Sequence, residues 1–425
     1  MMNFNIKIFL ARVREFVFTC IILAKKNNSL ISKIIDLLTN HFLKYKLQVL
    51  SFESIERYSE KNPEKVINYQ KFPLQLLYSQ PVFNNPKKIN NFNYEINGYH
   101  SYSAILKDVE VIGSSNLVLL NSEQALYDLK TKDINDKMYY SDFGIKYYFK
   151  NEVLIKTNKS ERNIKKGILL TGNFSWNYFH LLYEIIVKFE NYNKIKEELD
   201  IPILLDSDCF KVNQYMELLS MFNENKRELI PLQKGLRYKV NQLYYQSCPN
   251  LIPPNFKNPN EISAEDVLLN QDSLRYLRSK LLNYIINVSY PKRIFLSRKN
   301  ASSRRSFNED EVYRALQQYD FKIVFPECLS IPEQVTLFNN ADVIIGGGGA
   351  AFSNLLFCHE NCKIVLFVKH EFLFSAWTTI ANYVGADLLT LAQTIDNSGG
   401  IKDIHEPYII DTEILEQILS EWLIN

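Results

Sequence analysis

Residues 341–357 read ADVIIGGGGAAFSNLLF. A short β-branched apolar run is followed by four glycines and then by small and apolar residues. The run predicts a buried strand, the glycines end it, and the remainder predicts a helix folded back onto it. A chain of 425 residues with only 13 glycines places four of them here. A strand that turns directly into a helix through glycines leaves backbone N–H groups bare beside the partial positive charge of the helix start, a natural seat for phosphate.

The same alternation extends on both sides of this stretch. Strands are expected at 293–298, 321–325, 342–346 and 363–368, with helices at 309–319, 332–340 and 350–357. Such alternation predicts a parallel sheet in a doubly wound α/β arrangement. Upstream it recurs more loosely. Strands are expected at 164–172, 201–206 and 239–247, helices at 176–199 and 212–222, and a long helix near 264–287 follows the proline break at 249–259. Two such blocks predict two Rossmann-like domains. Before them, 104–113, 116–121 and 125–129 predict a small β-meander, and the Pro/Asn-rich stretch 72–93 an irregular connector. The expected division is 1–95, helical and irregular; 96–285, an N-terminal α/β domain led by the meander; and 286–425, a C-terminal Rossmann-like domain.

Composition narrows the function. With 46% hydrophobic and 23% charged residues the chain is an ordinary globular one. A net charge of +2 gives no electrostatic case for nucleic acid as the general partner. Six cysteines without a regular framework read as reduced thiols of a cytosolic protein. The apolar run Phe16–Ala24 is shorter than the roughly 20 residues that span a bilayer, and the KKNNSL after it is a poor cleavage site for a signal peptide. Residues 4–24 and 31–45 are therefore expected as amphipathic helices capping the fold, with peripheral contact to an inner membrane leaflet as a second reading.

Several residues could carry chemistry. His180 and Glu184 lie four apart in GNFSWNYFHLLYEIIVKF (172–189) and share a helix face, so the carboxylate can orient the imidazole as a general base; a packed His beside a surface Glu is the plain alternative. The segment PKRIFLSRKNASSRR (291–305) is cationic and free of acids. Arg298 falls at the strand end, where open α/β sheets bind ligands, and suits a diphosphate. Asn308 with Glu311, and Ser330 with Glu333, resemble capping boxes. Asp206 and Asp208 form an Asp-x-Asp after a strand, the pattern with which single-domain nucleotide-sugar enzymes hold a metal; a helix cap is the favoured reading. Cys358, His359 and Cys362 suggest a zinc cluster, but no second pair completes four ligands. Gly346, Gly348 and Ala351 with Glu371 fit a dinucleotide fingerprint, yet the following helix is short and the motif comes late in the block, against a dehydrogenase.

As an ordered set these stretches resemble glycosyltransferase family 61, including bacterial capsule and lipopolysaccharide members. The likeness rests on Asn177-Tyr178-Phe179-His180 with Glu184; on Ser297-Arg298, Arg304-Arg305 and Asn308-Glu309-Asp310-Glu311; and on Gln334, Ala341-Asp342 and Gly346-Gly347-Gly348-Gly349-Ala350 through Asn354. It is dense over 291–368, looser over 164–290 and absent before 104. The family's frequent histidine in the glycine motif is Gly348 here. The resemblance implies a GT-B-like pair of Rossmann-like domains facing a cleft, and an inverting transfer from a nucleotide-sugar to a glycan or lipid-linked glycan. It implies His180 and Glu184 as catalytic and Asn177 and Tyr178 on the acceptor. For the donor it implies Arg298, Arg304, Arg305, Asn308, Glu309, Gly347, Gly348, Gly349, Ala350 and Asn354. No metal or other cofactor is expected. A non-catalytic glycan-binding or scaffold descendant is the rival that Gly348 motivates.

Overall fold

The computed structural model describes residues 2–27, 30–42, 46–90, 92–129, 137–140, 142–157, 162–195, 199–253, 255–301, 305–393 and 406–423. Two helices, α1 (Met2–Lys26) and α2 (Leu30–Phe42), come first. The strands of the first half are β1 (Lys46–Phe52), β2 (Val66–Pro73), β3 (Leu76–Tyr78), β4 (Tyr94–Ile96), β5 (His100–Ile112), β6 (Leu117–Leu119) and β7 (Gln124–Tyr127). They continue as β8 (Ile145–Phe149), β9 (Glu152–Thr157), β10 (Arg162–Leu170), β11 (Ile203–Asp206), β12 (Leu229–Leu232), β13 (Arg237–Gln246) and β14 (Leu269–Asn270). The last third holds β15 (Arg293–Leu296), β16 (Lys322–Val324), β17 (Val343–Gly347), β18 (Lys363–Val368) and β19 (Asp387–Ala392).

An eleven-stranded mixed sheet runs in the order β12-β11-β10-β13-β5-β6-β7-β1-β9-β8, with β2 also on β5. Only β12, β11, β10 and β13 form the parallel block that the alternation upstream predicts. The meander β5-β6-β7 forms as expected, but β13 pairs antiparallel with β5 and so sews it into the main sheet. The second sheet is parallel throughout, β16-β15-β17-β18-β19. Its central strands β17 and β18 are apolar and buried on both faces, as a parallel sheet with helices on both sides requires.

The connector is less irregular than its prolines imply. β3 pairs with β4 and β14 in a small antiparallel sheet. Beyond it, Thr390 N donates to Val82 O and Asn84 N to Thr390 O, covering the edge of β19. One apolar cluster joins the halves, running from Leu170 and Leu182 to Phe338, Phe352 and Trp377.

Three helices differ from expectation. Residues 178–192 form a helical run that is α at Tyr178–His180, π at Leu181–Ile185, 3-10 at Ile186–Lys188 and α again at Phe189–Tyr192. The long helix near 264–287 is shortened to Gln271–Leu282, because Asn270 caps it by accepting from Asp272 N. The helix after the glycines, Ala350–Phe357, is 3-10 throughout.

Asp206 is neither a metal ligand nor a cap. It is fully buried at the end of β11, and its carboxylate accepts from Ser114 N at 2.5 Å and Gly172 N at 2.9 Å, tying three strand ends together. Asp208 pairs instead with Lys211. Burial pushes the Asp206 carboxyl from its usual 3.8 up to about 7. Across that window the folded chain keeps a proton that the unfolded chain has released. The resulting stability is complete below the unfolded value and is lost as pH rises through about 7. Asp206→Asn is expected to flatten this slope. It also turns an amide N–H toward a backbone N–H, a cost of about 1–3 kcal/mol. Urea unfolding followed on either side of that window checks both effects.

Candidate active site

In the second sheet the chain leaves β15 for β16 on one side and then returns to β17 on the other. This reversal opens a crevice at the carboxyl ends of β15 and β17, where open α/β sheets bind ligands. Arg298 leaves β15 at that point, and the glycine turn ends β17. The two meet: Arg298 Nη1 donates to Gly348 O at 3.2 Å. Behind them Glu309 accepts from Arg298 N at 3.0 Å and from the Ser297 hydroxyl, clamping the strand end to the start of the helix Glu309–Gln317.

The glycines are explained by this guanidinium. A Cβ on Gly349 would lie 2.3 Å from Arg298 Nη1. One on Gly347 would lie 2.8 Å from Arg298 Cδ and 2.7 Å from Phe307 Cε1. No side chain fits at either position with Arg298 across the turn. Gly348 is different: the nearest atom to an added Cβ is Phe367 O at 3.4 Å, an ordinary contact.

The opposite wall comes from the first half. After β10 the chain turns at Gly172 and enters the helical run with Asn177 as its cap, whose side chain accepts from Phe179 N. His180 follows, its ring 4.9 Å from that of Phe174. His180 Nδ1 is 3.0 Å from Glu184 Oε2, with both side chains largely buried. An ionised carboxylate can only accept, so the pair fixes the proton on Nδ1 and leaves Nε2 as the basic atom. Glu184 sits in the π turn, a distortion frequent at functional sites.

Both walls line one cleft of about 690 Å³, a size that suits a substrate-sized ligand. Arg298, Arg305 and Lys369 face it, and no acid stands among its described lining residues. Trp176, Phe256, Phe372 and Trp377 supply flat apolar surface. Burial lowers the pKa of Arg298, opposed by Tyr408 and Glu309. The Tyr408 hydroxyl donates to Phe367 O at 3.2 Å, and burial pushes its pKa up. The lining combines cationic side chains, an imidazole and aromatic rings, which suits an anionic ligand with a hydroxyl-bearing co-substrate.

Asn177, His180, Arg298, Arg305, Gly348, Gly349 and Ala350 are thus brought together. Glu184 stands behind His180, and Gly347 beneath Arg298. Five described residues that the sequence assigns to ligands, Gly347 among them, do not line the cleft. The Tyr178 hydroxyl donates to Asn354 Oδ1 at 2.9 Å, and Asn354 Nδ2 donates to Gln334 Oε1 at 2.9 Å, a buried relay that fastens the two halves. Asn308 is not a capping-box residue: it donates to Ile410 O, accepts from Ile410 N and bonds Glu311. Glu309 is turned to the backbone of Arg298. Arg304 lies outside the described residues. Ser330 and Glu333 do form the expected capping box.

Glu371 and the Cys358, His359 and Cys362 group lie outside the cleft lining. Glu371 accepts from Asn84 Nδ2 at 3.0 Å, and Cys358 and Cys362 are buried free thiols while His359 pairs outward with Asp342. Among the described residues no three His, Cys, Asp or Glu converge on a possible metal position. Lys369, Tyr408 and the aromatic residues at 372–377 were not anticipated. Lys369 alone carried a signal, one residue past the end of β18.

Residues 178–365 match the family model described as Glycosyltransferase 61. That span reaches from Tyr178, two residues before His180, into β18 and includes both His180 and Arg298. Comparison with curated proteins finds no match.

Proposed function

With residues 178–365 placing the chain in glycosyltransferase family 61, we propose that it transfers a sugar, with inversion, from a nucleotide-sugar to a hydroxyl of a surface glycan or lipid-linked glycan in the cytoplasm. The two sheets act as a GT-B-like pair, with residues 286–425 holding the donor and 96–285 the acceptor. The observation that carries this reading is Arg298 lying across the glycine turn at the switch point, in the cleft that also holds His180.

The reaction is a single displacement. His180 Nε2 takes the acceptor hydroxyl proton, the oxygen attacks the anomeric carbon, and the carbon–oxygen bond to the diphosphate breaks with its electron pair on the departing group. Arg298, Arg305 and the backbone at the start of Ala350–Phe357 receive the developing charge without a metal ion. Glu184 holds the imidazole tautomer, and Glu309 holds the loop that carries Arg298. Asn177 and Trp176 face the acceptor side. The test is release of nucleoside diphosphate from a panel of nucleotide-sugars, with and without glycan acceptors. A donor present at about 100 times its dissociation constant also raises stability by roughly 2.7 kcal/mol, visible as a thermal shift.

A second reading, a non-catalytic glycan-binding descendant, is favoured by Gly348, since no packing constraint requires a glycine there. It predicts donor binding with no diphosphate release. The glycines also provide an internal contrast. Gly349→Ala displaces the guanidinium and is expected to weaken nucleoside diphosphate binding about ten-fold or more, the worth of a charge-assisted hydrogen bond, whereas Gly348→Ala leaves it near wild type. Titration calorimetry of both variants checks this.

A further inference from the structure

The N-terminal helices present their apolar faces outward. On α2, Ser32, Ile35 and Thr39 turn toward the protein, while Leu30, Ile31, Ile34, Leu37 and Leu38 are exposed. The inward polar groups cost little, since the Thr39 hydroxyl donates to Ile35 O at 2.8 Å within its own helix. On α1, Ile22 anchors the packing against Leu47 and Leu154, and Val13, Phe16, Val17 and Leu23 form the exposed stripe. Phe16, Leu30 and Leu37 are each at least 70% exposed. A soluble helix ordinarily buries its apolar stripe, so two neighbouring helices that expose theirs mark a docking face.

The hairpin is held in this orientation. Lys25 pairs with Asp36 at 2.7 Å, joining the helices, and Lys26 pairs with Glu152 on β9 at 2.5 Å. β9 lies six strands along the large sheet from β10, so the docking face is apart from the cleft.

Charge identifies the occupant. Over residues 2–42 Lys7, Arg12, Arg14, Lys25, Lys26 and Lys33 stand against Glu15 and Asp36. Arg14 and Lys33 are exposed beside the stripes. Two copies packed through this face about a twofold axis would bring the same cations together, whereas an anionic bilayer surface complements both the cations and the apolar stripe. No helix among the described residues is long and apolar enough to cross a membrane. We propose that α1 and α2 lie in the interface of an anionic bilayer and hold the enzyme peripherally on it.

The test is co-sedimentation of the full chain with vesicles of phosphatidylcholine, with and without phosphatidylglycerol, at low and high salt. Binding is expected on the anionic vesicles and is expected to weaken with salt. Phe16→Asp with Leu37→Asp, both at exposed positions, is expected to lower the partition coefficient about ten-fold or more. Lys33→Glu keeps the apolar stripe and is expected to weaken binding to anionic vesicles only, which keeps the test open if the double variant loses its thermal transition. The inference fails if the wild type does not sediment with anionic vesicles, or if Lys33→Glu and the double variant bind like it. It fails equally if light scattering shows a dimer that the double variant dissolves while vesicles capture nothing. No nucleotide-sugar enters the assay, so its outcome is independent of the transfer reaction.

Discussion

Arg298→Ala is expected to lower kcat by about 10²–10³, the scale for removing one preorganised donor from a developing oxyanion, about 2.7–4 kcal/mol. The loss should fall on kcat more than on donor KM, because diphosphate charge rises as the sugar departs. Arg298→Lys should restore only part of it: an ammonium keeps the charge but lacks the planar fork that can hold Gly348 O and still offer further donors to a phosphate. Diphosphate release under saturating donor and acceptor measures the effect, and the thermal midpoint separates it from unfolding. Full turnover in Arg298→Ala would remove the phosphate assignment.

His180→Ala is expected to cost about 10²–10⁴ in kcat, the usual contribution of a positioned general base. Glu184→Gln separates base from orienter. The amide can offer Nδ1 a donor as readily as an acceptor, so it no longer fixes the proton there, and part of the imidazole population presents a protonated Nε2. Its loss should be smaller than that of His180→Ala. Unchanged kcat in His180→Ala would transfer the role of base to another group.

Where these residues could be found in sequence depended on how local their signals were. β15, β17 and β18 were legible because a parallel strand buried on both faces is a short β-branched run, and the glycines and the Ser330–Glu333 box punctuate it. Arg298 was legible by its place at a strand end. Asn308, Tyr178 and Asn354 were legible as polar residues in the right segments, but not by destination. Their partners are Ile410, Asn354 and Gln334, distant in the chain and chosen by packing. Asp206 likewise gave the spacing of a metal motif, and only burial against Ser114 N and Gly172 N assigned it to the strand ends.

The sequence by itself determined the parallel C-terminal sheet, the glycine turn and the cationic strand end, because period, β-branching and glycine act within a few residues. The tertiary structure alone decided that His180 faces Arg298 across one cleft, that the meander joins the main sheet, and that the N-terminal helices turn their apolar stripes outward. Each of those depends on which surfaces meet, and the free energy of burial is set by the neighbour across the gap rather than by the residue next along the chain.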